Sequence, residues 1–374
     1  MLATHRSYAR KKDRKEGVGV ERGQSLYLDA LRLIAALEVA AFHLGRLPGS
    51  GVPEGWWNAF GHEAVVIFFV LSGFVIRHAA GKNDPTLRLF AISRISRVWS
   101  VAIPALLLTW LFDSIGHRID LAPYEGLVTD SPAALRVAIG AAMLNESWVS
   151  VQMLSNTPYW SIAYEVFYYA LFAALFYLKG RWRWLILVPA LIAGPKIMLL
   201  FPIWLIGWAA YSERWSARWP RWLVWAAFCQ PVLCLLLYSQ FGLMGLTGGW
   251  LEGWLGHDLW RNGLAWSRYV ISDSLLGLSI AVNLIAAKHL GPELAAVLNG
   301  AAKPIRWLAG RSFTLYLLHQ PTMLLMIALS GALLPPIWRT PFIVMGATIV
   351  ILAVAEVTEG QRHRLRAGLE RLWR

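Results

Sequence analysis

Long apolar stretches separated by short polar segments run along almost the whole chain. There are ten of them, and most approach the ~20 residues that a helix needs to cross a bilayer. They cover approximately residues 26–44, 60–79, 98–116, 158–178, 184–194, 198–211, 222–239, 264–287, 312–331 and 341–357. The fifth and sixth are short and share a break at Gly194-Pro195, so they form either two spans or a re-entrant pair. The pattern predicts an all-α polytopic membrane bundle of about ten transmembrane helices.

The polar segments between these stretches are basic on alternate sides of the predicted membrane. With the N-terminus inside, 27 of the 35 Lys and Arg residues lie on the cytoplasmic side and 7 on the other, with Arg32 inside the first span. The positive-inside rule then places both termini in the cytoplasm. We expect a basic cytoplasmic tail over residues 1–25, without a cleavable signal pattern, a transmembrane domain over 26–357 and a basic cytoplasmic tail over 358–374.

Composition agrees with a membrane protein and excludes two other classes. The chain is 57% apolar and 15% charged, whereas soluble domains carry about 25% charged residues. The net charge of +13 comes from short clusters between apolar runs, so it reflects topology and predicts no nucleic-acid partner. Cys229 and Cys234 lie in one apolar run, five residues apart and on different helix faces, so no disulfide framework and no metal site is predicted.

The first span carries two ionisable side chains on one stripe. Arg32 and His43 are eleven residues apart, which is three turns plus about 20°, so they point the same way roughly 16 Å apart along the axis. Asp29 precedes Arg32 by one turn and can pair with it. Such groups are costly in a membrane unless they face a protein interior or a wet cavity, so the stripe predicts a path through the bundle. Taken alone, a His near an interface is more often a polar anchor.

The second and third spans contribute small and basic residues. Ser72-Gly73 permits close approach of a ligand or of another backbone, and ordinary helix packing is the simpler reading. Arg94 and Arg97 share a helix face, and their planar guanidinium groups suit phosphate oxygens. Anchoring to lipid head groups is an equally good reading of the arginine pair.

The fourth and ninth spans contain intramembrane polar groups. Trp160 and Ser161 open the fourth span, and Glu165 follows one turn after Ser161 on the same face. We expect Glu165 near His43, where it would orient the imidazole, or else paired with an Arg. A buried polar clamp between helices is the structural alternative. In the ninth span, Tyr316 and His319 precede Pro321, which frees a backbone carbonyl locally.

These residues together resemble the membrane-bound acyltransferase-3 family of bacterial O-acyltransferases. The resemblance covers nearly the whole chain, from Asp29 to about Pro321. Five short motifs occur in the family's order: Arg32, ten residues and His43; Phe-Phe-Val-x-Ser-Gly-Phe at 68–74; Arg94-x-x-Arg97; Trp160-Ser161-x-x-x-Glu165; and Tyr316-Leu-x-His319.

The chain also departs from the family pattern. Ala64-Val65-Val66 stands where members often have Gly-Val-Asp, so a role of that acid is absent or moved to Glu63. Trp99 stands where many members have a Pro after the arginine pair. Some members carry an additional extracytoplasmic domain that has no counterpart in this sequence.

The resemblance implies an acyl-CoA co-substrate, with acetyl favoured, no permanently bound cofactor, and a carbohydrate acceptor beyond a bacterial cytoplasmic (inner) membrane. It implies catalysis by His43 with Glu165, and donor binding by Arg32, Arg94 and Arg97. Asp29, Ser72, Trp160, Ser161, Tyr316 and His319 would support the site. A transporter or flippase for an anionic or lipid-linked substrate is the alternative, although no internal repeat supports it. No oligomeric state follows from the sequence.

Overall fold

The computed structural model describes residues 22–373, so most of the predicted N-terminal tail lies outside the described residues. No strand occurs between residues 22 and 373. The α-helices of this part are α1 (Arg22–Arg46), α2 (Gly61–Lys82), α3 (Leu87–Ile119), α4 (Ala133–Ala141), α5 (Trp160–Tyr177), α6 (Leu187–Ala193), α7 (Pro195–Ser212), α8 (Arg221–Gln240), α9 (Leu243–Leu255), α10 (Val270–Ala287), α11 (Gly291–Leu298), α12 (Ala302–Ala309), α13 (Ser312–Leu333), α14 (Pro336–Val357) and α15 (Arg362–Leu372).

Seven of the described helices are long and apolar enough to cross a membrane: α2, α3, α7, α8, α10, α13 and α14. Helix α1 falls outside this group because Asp29, Arg32 and Glu38 interrupt its apolar sequence. Helix α5 has 18 residues, and Glu165 and its tyrosines lower its hydropathy. The all-helical membrane fold is therefore established, while about ten spans and cytoplasmic termini stay predictions.

The helix bounds agree with those predicted from the apolar pattern where a helix carries few charged residues. They differ from the predicted bounds where charged residues are frequent. Helix α13 begins at the predicted Ser312, but α3 begins eleven residues before the predicted residue 98. Thr86 caps α3 by accepting a hydrogen bond from the Leu89 amide at 3.3 Å. The predicted fifth span is divided between a 3₁₀ segment, Gly180–Ile186, and the short helix α6. Gly194, with φ of +78°, then separates α6 from α7.

The core of the bundle is built around α1, α2 and α13. Helix α2 packs on α1, α7 and α10, and α13 packs on α1, α3 and α14. Of the residues in the apolar part of α13, 83% are buried inside the protein, whereas the figure for α8 is 22%. Helix α13 is therefore central in the bundle, and α8 is peripheral. At the face where α1 begins, α15 forms most of the predicted C-terminal tail and packs on α3. Arg88 of α3 donates there to the Glu370 carbonyl of α15 at 3.4 Å.

Reciprocal glycines bring α2 and α7 into backbone contact. A Cβ at Gly73 of α2 would lie 2.0 Å from the Trp204 carbonyl oxygen of α7, and a Cβ at Gly207 would lie 2.0 Å from the Val70 oxygen. Small residues permit such close helix packing in membranes. The packing reading of Gly73 is thus confirmed, and the neighbouring Ser72 lines a cavity instead.

Substitution of Gly73 by Ala should therefore destabilise the bundle. The added methyl meets a backbone oxygen that cannot move without shifting a helix, and overpacking of this kind costs about 1–3 kcal/mol. We expect Gly73→Ala to lower the thermal unfolding midpoint of the purified protein by several degrees. Gly245→Ala is the matched control, because a Cβ there meets nothing within 4 Å. Equal midpoints for the two variants would contradict this packing.

Candidate active site

Three adjacent cavities follow α1 through the bundle. The portal cavity, at the face where α1 begins, is lined by Ser25, Leu28, Asp29, Arg32, Phe74, Val75 and His78. It shares Arg32 and Val75 with the arginine cavity, whose polar lining includes Arg32, Ser72, Arg94, Arg97, Ser161, Glu165 and Tyr316. The histidine cavity, whose lining includes His43, His62, Val65, Thr157, Trp160, Trp266 and Tyr316, shares Val65 and Tyr316 with the arginine cavity. The stripe from Arg32 to His43 therefore follows a nearly continuous path.

The arginine cavity contains three guanidinium groups with few partners. Arg32 donates to Asp29 at 3.4 Å, as the spacing predicted. Arg94 donates to Asp84 at 3.1 Å, while its buried Nε has no hydrogen-bond partner. The side chain of Arg97 makes no hydrogen bond and no ion pair with any residue between 22 and 373. An anion entering this cavity would satisfy donors that the described part of the chain leaves unused.

Glu165 lies in the arginine cavity rather than beside His43. Its carboxylate accepts hydrogen bonds from Ser72 at 2.8 Å and from Tyr169. Arg94 and Arg97 lie near enough to interact with it electrostatically. The predicted contact in which Glu165 orients His43 is therefore wrong. The predicted alternative, an ion pair with an Arg, is not formed either within residues 22–373, where Ser72 and Tyr169 are the hydrogen-bond partners of Glu165. The reason is that α5 turns this position toward α2 and α3.

His319 occupies the place beside His43 that was predicted for Glu165. The Nε2 atom of His319 lies 3.2 Å from Nδ1 of His43, and the two rings are 4.9 Å apart. His43 Nδ1 also lies 2.8 Å from the Val39 carbonyl oxygen, and His319 Nδ1 lies 2.8 Å from the Tyr316 carbonyl oxygen. Because a carbonyl only accepts, both Nδ1 atoms carry the proton.

This tautomer determines which ring nitrogen of His43 is able to accept a proton. Its Nδ1–H points at the Val39 oxygen and at the lone pair of His319 Nε2. Its Nε2 therefore has a free lone pair, and no residue between 22 and 373 forms a hydrogen bond with that atom. An imidazole held in this way can accept a proton on Nε2 while its Nδ1–H is stabilised by two acceptors.

Tyr316 and Ser161 form the polar boundary between the arginine and histidine cavities. The Tyr316 hydroxyl donates to the Pro158 carbonyl at 3.1 Å and lies 2.7 Å from Ser161 Oγ. Trp160, from the same motif, lines the histidine cavity and stacks on Trp266 with ring centroids 4.9 Å apart. The supporting residues Trp160, Ser161 and Tyr316, predicted in α5 and α13, are thus brought together where the two cavities meet. This junction, at Val65 and Tyr316, is the constriction of the path.

Pro321 shapes α13 next to His319. Proline has no amide hydrogen, so the Leu317 carbonyl one turn earlier has no helical donor. Asn156 fills this role by donating to the Leu317 oxygen at 2.8 Å. The loop that carries Asn156 is held by a buried ion pair between Glu146 and Lys196 at 3.3 Å. Burial raises the pKa of the Glu146 carboxyl, and the Lys196 ammonium opposes that rise.

One polar pair at the edge of the histidine cavity, formed by His62 of its lining and Asp273 behind it, is absent from the sequence prediction. His62 Nε2 lies 3.0 Å from both carboxylate oxygens of Asp273, which is fully buried. The available signal was Asp273 itself, a carboxylate inside the eighth predicted span, since such residues are functional by default. No group of three or more metal-ligating side chains occurs within residues 22–373, and Cys229 and Cys234 are free thiols.

The fold and the cavities define a multi-pass helical membrane protein with an internal site. An Acyltransferase domain family model, that of acyltransferase family 3, matches residues 25–356. The chain therefore belongs to the acyltransferase-3 family and is a membrane acyltransferase. No curated protein and no solved structure gives a significant match to the chain.

Proposed function

We propose that the chain transfers an acyl group, acetyl in the simplest case, from cytoplasmic acyl-CoA to a hydroxyl of an extracytoplasmic glycan or glycolipid. The observation that carries the proposal is the succession of cavities from an arginine cluster with unused donors to the free Nε2 of His43. Acyl-CoA has phosphates at one end and a thioester at the other, so its two ends match the arginines and the His43 imidazole in this order. The membrane is then the bacterial cytoplasmic membrane, with the portal cavity open to the cytoplasm.

The donor's phosphates would bind in the arginine cavity. Arg97 has no ion pair in the described residues, and Arg94 has one unused buried donor, so both can contact phosphate oxygens without breaking a full set of bonds. Arg32 lies between the portal and arginine cavities and would contact the donor along its length. Glu165, held by Ser72 and Tyr169, offsets part of the positive charge of the arginines.

The thioester would pass the constriction at Val65 and Tyr316 to reach His43. His43 Nε2 takes the proton of the acceptor hydroxyl while the hydroxyl oxygen attacks the thioester carbonyl. The C–S bond breaks, and the CoA thiolate takes the proton from Nε2, which yields an ester and free CoA. The Val39 carbonyl and His319 Nε2 stabilise the imidazolium through Nδ1–H, the role that a carboxylate has in a catalytic triad.

Mass spectrometry of cell-surface glycans tests this function directly. Cells of the source strain with the wild-type chain should carry an added acyl mass that is absent when the chain is deleted. The purified protein should release CoA from acetyl-CoA. Identical glycans together with no CoA release by the purified protein would contradict acyl transfer and favour the transporter alternative.

A further inference from the structure

The hydrogen-bonded pair of His62 and Asp273 has no role in the proposed mechanism. His62 lies in the first turn of α2 and Asp273 in the first turn of α10. Asp273 is fully buried, and both of its oxygens lie 3.0 Å from His62 Nε2. A carboxylate buried in a membrane protein is costly unless it is paired, and here its partner faces a cavity.

The pair leaves one imidazole nitrogen available. Because Nε2 donates to the Asp273 carboxylate, Nδ1 is the remaining polar atom of His62. No residue between 22 and 373 forms a hydrogen bond with that atom. His62 therefore presents an oriented, hydrogen-bonding nitrogen, and the cavity that it lines also contains His43.

The position of the pair separates it from the donor path. The arginine cavity meets the histidine cavity at Val65 and Tyr316, which is where the thioester would arrive. His62 lines the histidine cavity beyond this constriction, beside the ring stack of Trp160 and Trp266. Pockets that combine aromatic walls with a few oriented polar groups are typical of small-molecule sites.

We propose, building on the proposed function, that the histidine cavity is the acceptor site and that His62 binds a sugar hydroxyl beside His43. Asp273 is then a positioning residue that fixes the His62 ring. Trp160 and Trp266 form the apolar wall against which one face of a sugar ring packs. The substrate class is a polyhydroxylated ring with at least one apolar face, which enters from the side opposite the portal cavity.

The test compares acylation of the native glycan in cells with CoA binding by the purified protein. In cells, His62→Gln and Asp273→Asn should reduce the acyl mass on surface glycans at least tenfold, because the acceptor hydroxyl loses the oriented imidazole nitrogen that positions it beside His43. The purified variants should bind CoA within about twofold of wild type, because the donor binds in the arginine cavity, which neither His62 nor Asp273 lines. A purely structural role would reduce both readouts together.

His289→Gln is the matched control, because His289 bonds to Ser216 at 2.8 Å and lines none of the three cavities. Unchanged glycan acylation in His62→Gln would overturn the acceptor assignment. If CoA binding and glycan acylation were lost together, His62 and Asp273 would serve donor binding or folding, and the acceptor assignment would be overturned as well. Failure of the proposed function itself can be distinguished from failure of the acceptor assignment. In that case the wild-type protein would add no acyl mass to glycans and would release no CoA.

Discussion

Replacement of His43 by Ala is expected to lower acyl transfer by about 10²–10⁴-fold, the range in which general acid–base groups contribute. The substitution removes the Nε2 lone pair that accepts the proton of the acceptor hydroxyl, together with the Nδ1 atom that lies 3.2 Å from His319 Nε2. The measurement is CoA release from acetyl-CoA by purified protein, together with the acyl mass on surface glycans. The thermal unfolding midpoint and the affinity for CoA should stay close to wild type.

His289→Ala provides the control for this experiment, since it removes a partly buried imidazole that lies outside the three cavities. If a well-expressed His43→Ala variant acylated glycans to the wild-type level, the assignment of His43 as the catalytic residue would be contradicted. A label from radioactive acetyl-CoA that stays on wild type but not on His43→Ala would instead make His43 a covalent carrier. Without such a label, direct transfer with His43 as base is the mechanism.

The apolar pattern predicted helices well because hydropathy reports where a segment meets lipid. Helix α13 begins at the predicted Ser312, and α2 begins within one residue of its prediction. The pattern predicted α3 poorly because Arg88, Arg94 and Arg97 occupy its first three turns. A helix that extends beyond the bilayer needs no apolar residues there, so hydropathy cannot locate its start.

The site was predictable within one helix and less so between helices. Helical periodicity placed Arg32 and His43 on one face, and the cavities confirm it. The direction of Glu165 depends on how α5 is rotated against α2, which sequence spacing does not encode. For the same reason, the sequence identified His43 and His319 as intramembrane groups but not as neighbours. His62 and Asp273 were missed because they are 211 positions apart and belong to none of the five motifs.

Replacement of Arg97 by Ala should weaken CoA binding by about 10–100-fold. A hydrogen bond to a charged group contributes about 1.5–3 kcal/mol, and each 1.4 kcal/mol corresponds to about tenfold in affinity. Arg97 is the best single target because its guanidinium has no ion pair within residues 22–373 that would compete with a phosphate. Arg97→Lys should lie between wild type and Ala, because it keeps the charge but loses the planar fork. Titration calorimetry of CoA against the purified proteins measures the effect.

Two comparisons make the Arg97 result specific to phosphate contact. Pantetheine, which lacks the phosphates, should bind wild type and Arg97→Ala with equal affinity. Arg183→Ala, which removes an exposed guanidinium bonded to the Leu178 carbonyl, should leave CoA affinity unchanged and so controls for general electrostatic attraction. If wild type, Arg97→Lys and Arg97→Ala bound CoA equally, the arginine pair would be an anchor for lipid head groups. The route of the donor through the arginine cavity would then have to be abandoned, even if His43 proved essential.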